Sequence, residues 1–149
     1  LEVFGLDISE DALSVAAKNA SAHSTEINWI LADFLDLEAQ NLLGNFDLII
    51  SNPPYISKDD YQHLATEVKG FEPEIALHDG NDGLSFYRNL IQFAVQNLTI
   101  NGILALEIGY NQKEEILTIN QNRLQLLGAF ADLSLKDRIL IFKQKELYV

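Results

Sequence analysis

Phe46-Asp47-Leu48-Ile49-Ile50-Ser51-Asn52-Pro53-Pro54-Tyr55 reads as a strand that stops abruptly. Leu48, Ile49 and Ile50 are consecutive apolar residues without alternation, the pattern of a strand buried on both faces. Two prolines follow Asn52. Each fixes its own φ and lacks an amide donor, and Pro53 also restricts Asn52 to extended backbone. The strand must therefore end here, with the Asn52 side chain and the neighbouring carbonyls held rigidly at its carboxyl end.

The segments on either side repeat this pattern. Upstream, the apolar run Leu1 to Leu6 ends at Asp7, and Ser9-Glu10-Asp11 supplies a cap and an acidic first turn for a helix with Leu13, Ala16, Ala17 and Ala20 on one face. Ile27 to Leu31 predicts a second strand, ending at Ala32-Asp33-Phe34. Downstream, residues 56 to 82 are polar and irregular, which suggests a long functional loop with one short helical piece around Asp59 to Val68. Leu84 to Leu98 predicts a helix, Ile103 to Ile108 a strand, and Gln112 to about Leu127 a further helix. Ala129 to Leu135 and Arg138 to Phe142, separated by Lys136-Asp137, have the spacing of an antiparallel hairpin.

Apolar strands alternating with amphipathic helices imply an α/β fold of Rossmann-like type, a mostly parallel sheet covered on both faces with an antiparallel hairpin at its end. In such sheets ligands bind at the carboxyl ends of the strands, where Asp7, Asp33, Asn52 and Glu107 all fall. A length of 149 residues, 48% of them apolar, suits a single domain spanning residues 1–149. The net charge of -12 and pI near 4.4 disfavour a nucleic-acid partner. The chain has no cysteine, so disulfides, thiolate metal sites and a cysteine nucleophile are excluded. No stretch approaches the roughly 18 apolar residues of a membrane span, and no signal peptide opens the chain, so a cytoplasmic protein is expected. Because it opens on an apolar run and contains no methionine, the chain is expected to be cut from a longer parent.

The rigid Asn52 to Tyr55 turn suits chemistry at a planar, conjugated nitrogen. An amide nitrogen is a poor nucleophile because its lone pair is delocalised into the carbonyl. Acceptors on its two N–H groups can turn that lone pair out of the amide plane. The Asn52 side-chain oxygen and the Pro53 carbonyl are the candidates. Tyr55 would stack on the flat group and exclude water while an electrophilic methyl of a sulfonium cofactor approaches in line. Asp7 lies where a nucleotide-binding sheet places an acid for ribose hydroxyls, although a helix cap explains it equally well. Asp33 could accept from an adenine amine with the Phe34 ring packed on the base, or serve simply as a turn residue. Asp79-Gly80-Asn81-Asp82-Gly83 lacks the glycine and the bidentate glutamate of a calcium loop and is read as a tight turn entering a helix. His23, His63 and His78 show no ligand spacing, and no metal site is expected.

With these residues in place, the chain resembles the HemK/PrmC protein-glutamine N5-methyltransferases, a family with the class I methyltransferase fold. The resemblance runs from Leu1 to about Phe142. Its most specific part is Asn52-Pro53-Pro54-Tyr55-Ile56, then Glu67-Val68, Phe71-Glu72-Pro73, Ala76-Leu77, Asp79 to Leu84, Tyr87-Arg88 and Leu106-Glu107-Ile108-Gly109. It implies S-adenosyl-L-methionine as cofactor, Asp7 and Phe34 in contact with it, Asn52 near both cofactor and substrate, and Asn52, Pro53, Pro54 and Tyr55 holding a glutamine. The implied substrate is the Gly-Gly-Gln glutamine of a peptide chain release factor. A sibling branch acts on a ribosomal protein, and enzymes acting on adenine or guanine amino groups share Asn-Pro-Pro-Tyr, so both remain alternatives, as does a non-catalytic binding module. Family members also carry a first strand with a Gly-rich loop, and a helical docking domain before it. Neither is found here, and the missing strand would lie between those at Leu1 and Phe46, leaving unpaired backbone and a fragment that need not be active alone.

Overall fold

The computed structural model describes residues 1–64 and 72–145. The chain divides into two compact units, Leu1–Gly44 and Asn45–Val149.

In the first unit, β1 (Phe4–Asp7) is followed by α1 (Glu10–Ala22), β2 (Asn28–Leu31) and the short α2 (Leu37–Asn41). The two strands pair in parallel, with Gly5 opposite Trp29. A Cβ on Gly5 would lie 2.4 Å from the Trp29 ring, so glycine is what lets the indole lie across β1. As the sequence predicts, Ser9 caps α1, its hydroxyl accepting the Ala12 N–H at 3.2 Å, while Glu10 and Asp11 complement the helix dipole.

The second unit contains β3 (Phe46–Ser51), α3 (Lys58–Gln62), α4 (Glu74–Leu77), α5 (Ser85–Asn97), β4 (Leu98–Glu107), α6 (Lys113–Asn120), β5 (Gln125–Ala131) and β6 (Asp137–Lys143). Its strand order is β3-β4-β6-β5. β3 runs parallel to β4, and β6 runs antiparallel to both β4 and β5. The core lies on one face of this sheet. Ladder partners Leu104 and Phe142, and Leu106 and Leu140, are buried together with Tyr87, Leu90, Ile91 and Ala94 of α5 and Ile116 of α6. Tyr87 is fully buried, and its hydroxyl donates to the Glu107 carbonyl at 3.0 Å. Burial raises its phenol above the ordinary value, and the neighbouring Tyr55 and Glu107 add to the effect, so it stays a neutral donor.

Four features depart from the sequence reading. β4 begins at Leu98 rather than Ile103, because its register shifts around Asn101, whose φ of 68° takes up the extra residues. The helix expected to reach Leu127 stops at Asn120. Gln121 and Asn122 adopt left-handed backbone, and the buried Asn120 amide bonds both the carbonyl and the N–H of Leu124. The hairpin turn comes earlier than Lys136-Asp137. Asp132 accepts the N–H groups of Ser134 and Lys136, so Leu133 and Leu135 are exposed loop residues despite their apolar character. Finally, Leu48 and Ile50 of β3 are 53% and 72% exposed, so β3 leaves that face open and half-buries the face of Ile49. The predicted helical piece from Asp59 is α3. The remainder of that stretch, with Glu67, Val68 and Phe71 of the family pattern, lies outside the described residues.

The described strands fall into two hydrogen-bonded sheets, β1-β2 in the first unit and β3-β4-β6-β5 in the second. β3 stands at the edge of its sheet. Among the described residues no helix is long and apolar enough to cross a membrane.

The Asp79 loop leads into α5 much as the sequence predicts. Asp79 accepts the N–H groups of Asn81 at 2.8 Å, Gly83 at 3.0 Å and Ser85 at 2.9 Å, so it caps a helix whose own N-cap, Leu84, has no polar side chain. Asp82 makes a two-pronged pair with Arg88. Burial alone would raise the Asp79 carboxyl, but these hydrogen bonds outweigh it and hold the group below its ordinary value of 3.8.

Two stability predictions follow from this packing. Tyr87→Phe leaves the Glu107 carbonyl without its donor, and urea unfolding is expected to show a loss of about 1 kcal/mol. An unchanged midpoint would contradict the bond. Asp79→Asn removes a carboxylate whose folded pKa is depressed, so the stabilisation it supplies is present above pH 3.8 and vanishes as pH falls through and below that value. The variant should be less stable than wild type at pH 7 and converge with it in acid; a gap that persists unchanged into acid would contradict this.

Candidate active site

At the carboxyl end of the first unit's sheet, the Asp7 carbonyl accepts the Ala32 N–H at 3.1 Å, which brings Asp7 and the Asp33-Phe34 turn to one rim. Asp7 Oδ1 accepts the Ser9 N–H at 2.8 Å, and Asp33 Oδ1 accepts the Leu35 N–H at 2.8 Å. Asp33 thus serves its local turn, as its simpler reading expects, whereas the cap of α1 is Ser9 and Asp7 instead holds the Ser9 N–H. In each, Oδ2 has no hydrogen-bond partner among the described residues. The donor groups of a nucleoside, a ribose diol and an adenine amine, require acceptors of this kind, and Phe34 adds an aromatic face. The rim thus fits an adenosine-bearing cofactor. Gln40, which the sequence reading does not single out, is buried, and its amide donates to the Phe34 carbonyl at 2.6 Å. Nothing in the sequence around it marks it, since α2 reads Leu-Glu-Ala-Gln-Asn.

In the second unit, Asn52 follows β3 directly and Glu107 is the last residue of β4, so the parallel pairing sets them at the same end of the sheet. Asn52 is exposed and Pro53 buried, while Pro54 and Tyr55 are half-buried. Neither the Asn52 side-chain amide nor the Pro53 carbonyl makes a hydrogen bond among the described residues. The two acceptors required to orient an amide N–H pair are therefore unengaged, on backbone that two prolines stiffen.

The loop beyond Tyr55 is tied to the Asp79 turn. Ile56 N–H donates to the Leu77 carbonyl at 3.1 Å and Lys58 N–H to the Asn81 carbonyl at 2.8 Å. Gly83, with φ of 77°, lies so close that a Cβ there would sit 2.4 Å from the Tyr55 carbonyl oxygen. An open cavity of about 560 Å³ lies beside Tyr55, bordered by Ser57, Asp60, Tyr110, Asn111 and Glu115. Among the described residues no cluster of histidines and carboxylates is arranged to hold a metal.

The structure thus brings together Asp7, Asp33 and Phe34 in one unit and Asn52, Pro53, Pro54 and Tyr55 in the other. A family model described as a methyltransferase domain matches residues 1–122. A Fusobacterium nucleatum protein named release factor glutamine methyltransferase is 41% identical over 95% of this chain and 40% of its own length. One of the same name from Lactococcus lactis is 37% identical over 92% of this chain and 50% of its own length. The chain spans about half the length of the curated relatives it matches. Among solved structures, a methyltransferase from Pyrococcus furiosus superposes with a TM-score of 0.68 at 18% identity, over 97% of this chain and 64% of the other. The N-methyltransferase NodS of Bradyrhizobium japonicum, solved in complex with S-adenosyl-L-homocysteine, gives 0.61 at 15% identity over 97% and 67%. These structures share the class I methyltransferase fold with this chain, and the match over residues 1–122 establishes its family: the chain belongs to the methyltransferase domain family.

Proposed function

We propose that the complete protein methylates the side-chain amide nitrogen of a protein glutamine, using S-adenosyl-L-methionine, and that its substrate is the Gly-Gly-Gln glutamine of a peptide chain release factor. The observation that carries this reading is the pair of unengaged acceptors, Asn52 Oδ1 and the Pro53 carbonyl, on the rigid turn after β3. The names of the Fusobacterium and Lactococcus relatives support the choice of substrate.

In this reading residues 1–149 form most of one catalytic domain. Asp7 accepts from the ribose hydroxyls of the cofactor, Asp33 from its adenine amine, and Phe34 packs on the base. When bound, the cofactor supplies an electrophilic methyl on a sulfonium. Asn52 and Pro53 each accept one N–H of the glutamine amide and twist the nitrogen lone pair out of conjugation; Pro54 keeps the turn rigid, and Tyr55 stacks on the amide plane and excludes water. No covalent intermediate on the protein is required. The net charge of -12 sets this chain against a nucleic-acid substrate, and a release-factor substrate places the enzyme in the cytoplasm.

Incubating the complete protein with methyl-labelled cofactor, a release factor, a ribosomal protein fraction and nucleic acid, then mapping the label by peptide mass, tests this. Label on the Gly-Gly-Gln glutamine is expected. Label confined to a ribosomal protein or to nucleic acid would overturn the substrate assignment, and no label at all would overturn the activity.

Asn52→Ala should lower kcat by about 10²-fold or more, with cofactor affinity largely kept, because the side chain acts on the nucleophile. Calorimetric binding of S-adenosyl-L-homocysteine separates the two effects. A collapse of cofactor affinity with little change in kcat would contradict the role given to Asn52.

A further inference from the structure

Gln112 is a buried amide that stands immediately before α6 and is the N-cap of that helix, yet its side chain makes no capping bond to it. A side chain at this position ordinarily serves the first turn of the helix. Here all of its polar capacity is turned the other way. Nε2 donates to the Tyr55 carbonyl at 2.8 Å and to the Gly83 carbonyl at 3.2 Å, and Oε1 accepts the Gly109 N–H at 3.0 Å. One side chain thus joins the exit of the Asn-Pro-Pro-Tyr turn, the Asp79 loop and the end of β4.

The glycines around it show how closely this junction is fitted. A Cβ on Gly109 would stand 2.6 Å from Gln112 Oε1, and one on Gly83 would stand 3.1 Å from Nε2 as well as 2.4 Å from the Tyr55 oxygen. Only glycine at both positions lets the amide reach its three partners. From Tyr55 back to Asn52 the chain passes through two prolines, whose fixed φ angles transmit the placement of the Tyr55 carbonyl to the Asn52 side chain and the Pro53 carbonyl.

We propose that Gln112 is a positioning residue for methyl transfer: through the Tyr55 carbonyl it sets where Asn52 and Pro53 present their acceptors to the substrate amide. The role of Asn52 and Pro53 rests on the function proposed above; the effect of Gln112 on their placement does not. Asn120, at the other end of α6, is the natural control. It too is a buried amide bonded to backbone, but its two hydrogen bonds both go to Leu124 and none to Tyr55.

The test uses the complete protein. Gln112→Leu should lower kcat by about 10²-fold at temperatures where the variant is fully folded, with KM for the cofactor unchanged, whereas Asn120→Ala should lose stability and keep its kcat. Gln112→Glu separates donation from packing. Its ionised carboxylate can still accept from Gly109 but cannot donate to Tyr55 or Gly83, so kcat should be low near neutral pH and rise relative to wild type as the group becomes protonated. A folded Gln112→Leu with wild-type kcat, an Asn120→Ala that loses as much, or a Gln112→Glu whose pH profile parallels wild type would each overturn the proposal. Crystal structures of wild type and Gln112→Leu decide the matter independently of turnover. A displacement of the Asn52 and Pro53 acceptors by about 1 Å supports it, and an unmoved turn overturns it even if the methyl acceptor proves to be another molecule.

Discussion

Pro53 and Pro54 remove two hydrogen-bond donors and most of the torsional freedom from the chain directly after β3, and the second unit is organised around that constraint. A ladder cannot continue through them, so β3 ends at Ser51 and Asn52 is left at the end of the sheet. Beyond the prolines the backbone regains hydrogen bonds at Tyr55, Ile56 and Lys58, whose partners come from Gln112 and from the stretch Leu77 to Asn81. That stretch must come close, which is why Gly83 has no room for a side chain. Asp79 holds it closed by collecting three N–H groups, and α5 then carries Tyr87 into the core beneath the end of β4. Rigidity at the turn and burial of α5 are thus parts of one arrangement.

The first unit solves a simpler problem. Its two strand ends are paired at Asp7 and Leu31, the Ala32 N–H adds a bond to the Asp7 carbonyl, and each rim carboxylate commits one oxygen to the turn that holds it. A carboxylate fixed through Oδ1 loses little entropy when Oδ2 accepts a further bond, so the turn role is compatible with the binding role proposed for each. The same residue types would appear for either reason alone, which is why the sequence leaves both readings of Asp7 and of Asp33 open.

Much of this was legible in the sequence where local rules govern. β3 has the predicted bounds, Ser9 caps α1, and α5 lies within one residue of expectation at each end. The failures share a cause in polar side chains whose backbone partners lie outside the apolar pattern. α6 stops at Asn120 because that amide finds Leu124, and nothing in the apolar spacing from Gln112 to Leu127 announces it. Leu133 and Leu135 look like strand residues but lie in a loop shaped by Asp132. Gln40 and Gln112 escape notice because an amide within or just before a short helix carries no pattern until its acceptors, 6 and 57 residues away in sequence, are seen. The exposed Leu48 and Ile50 show the reverse case, in which the sequence describes a strand covered on both faces and the described residues cover it on one.

The most direct test of the central claim is a crystal structure of the complete protein with S-adenosyl-L-homocysteine and a peptide containing Gly-Gly-Gln. The glutamine Nε2 is expected within about 3.2 Å of both Asn52 Oδ1 and the Pro53 carbonyl, with the Tyr55 ring against the amide plane. A glutamine bound elsewhere, or an Asn52 turned wholly toward the cofactor while another group receives the amide protons, would contradict it.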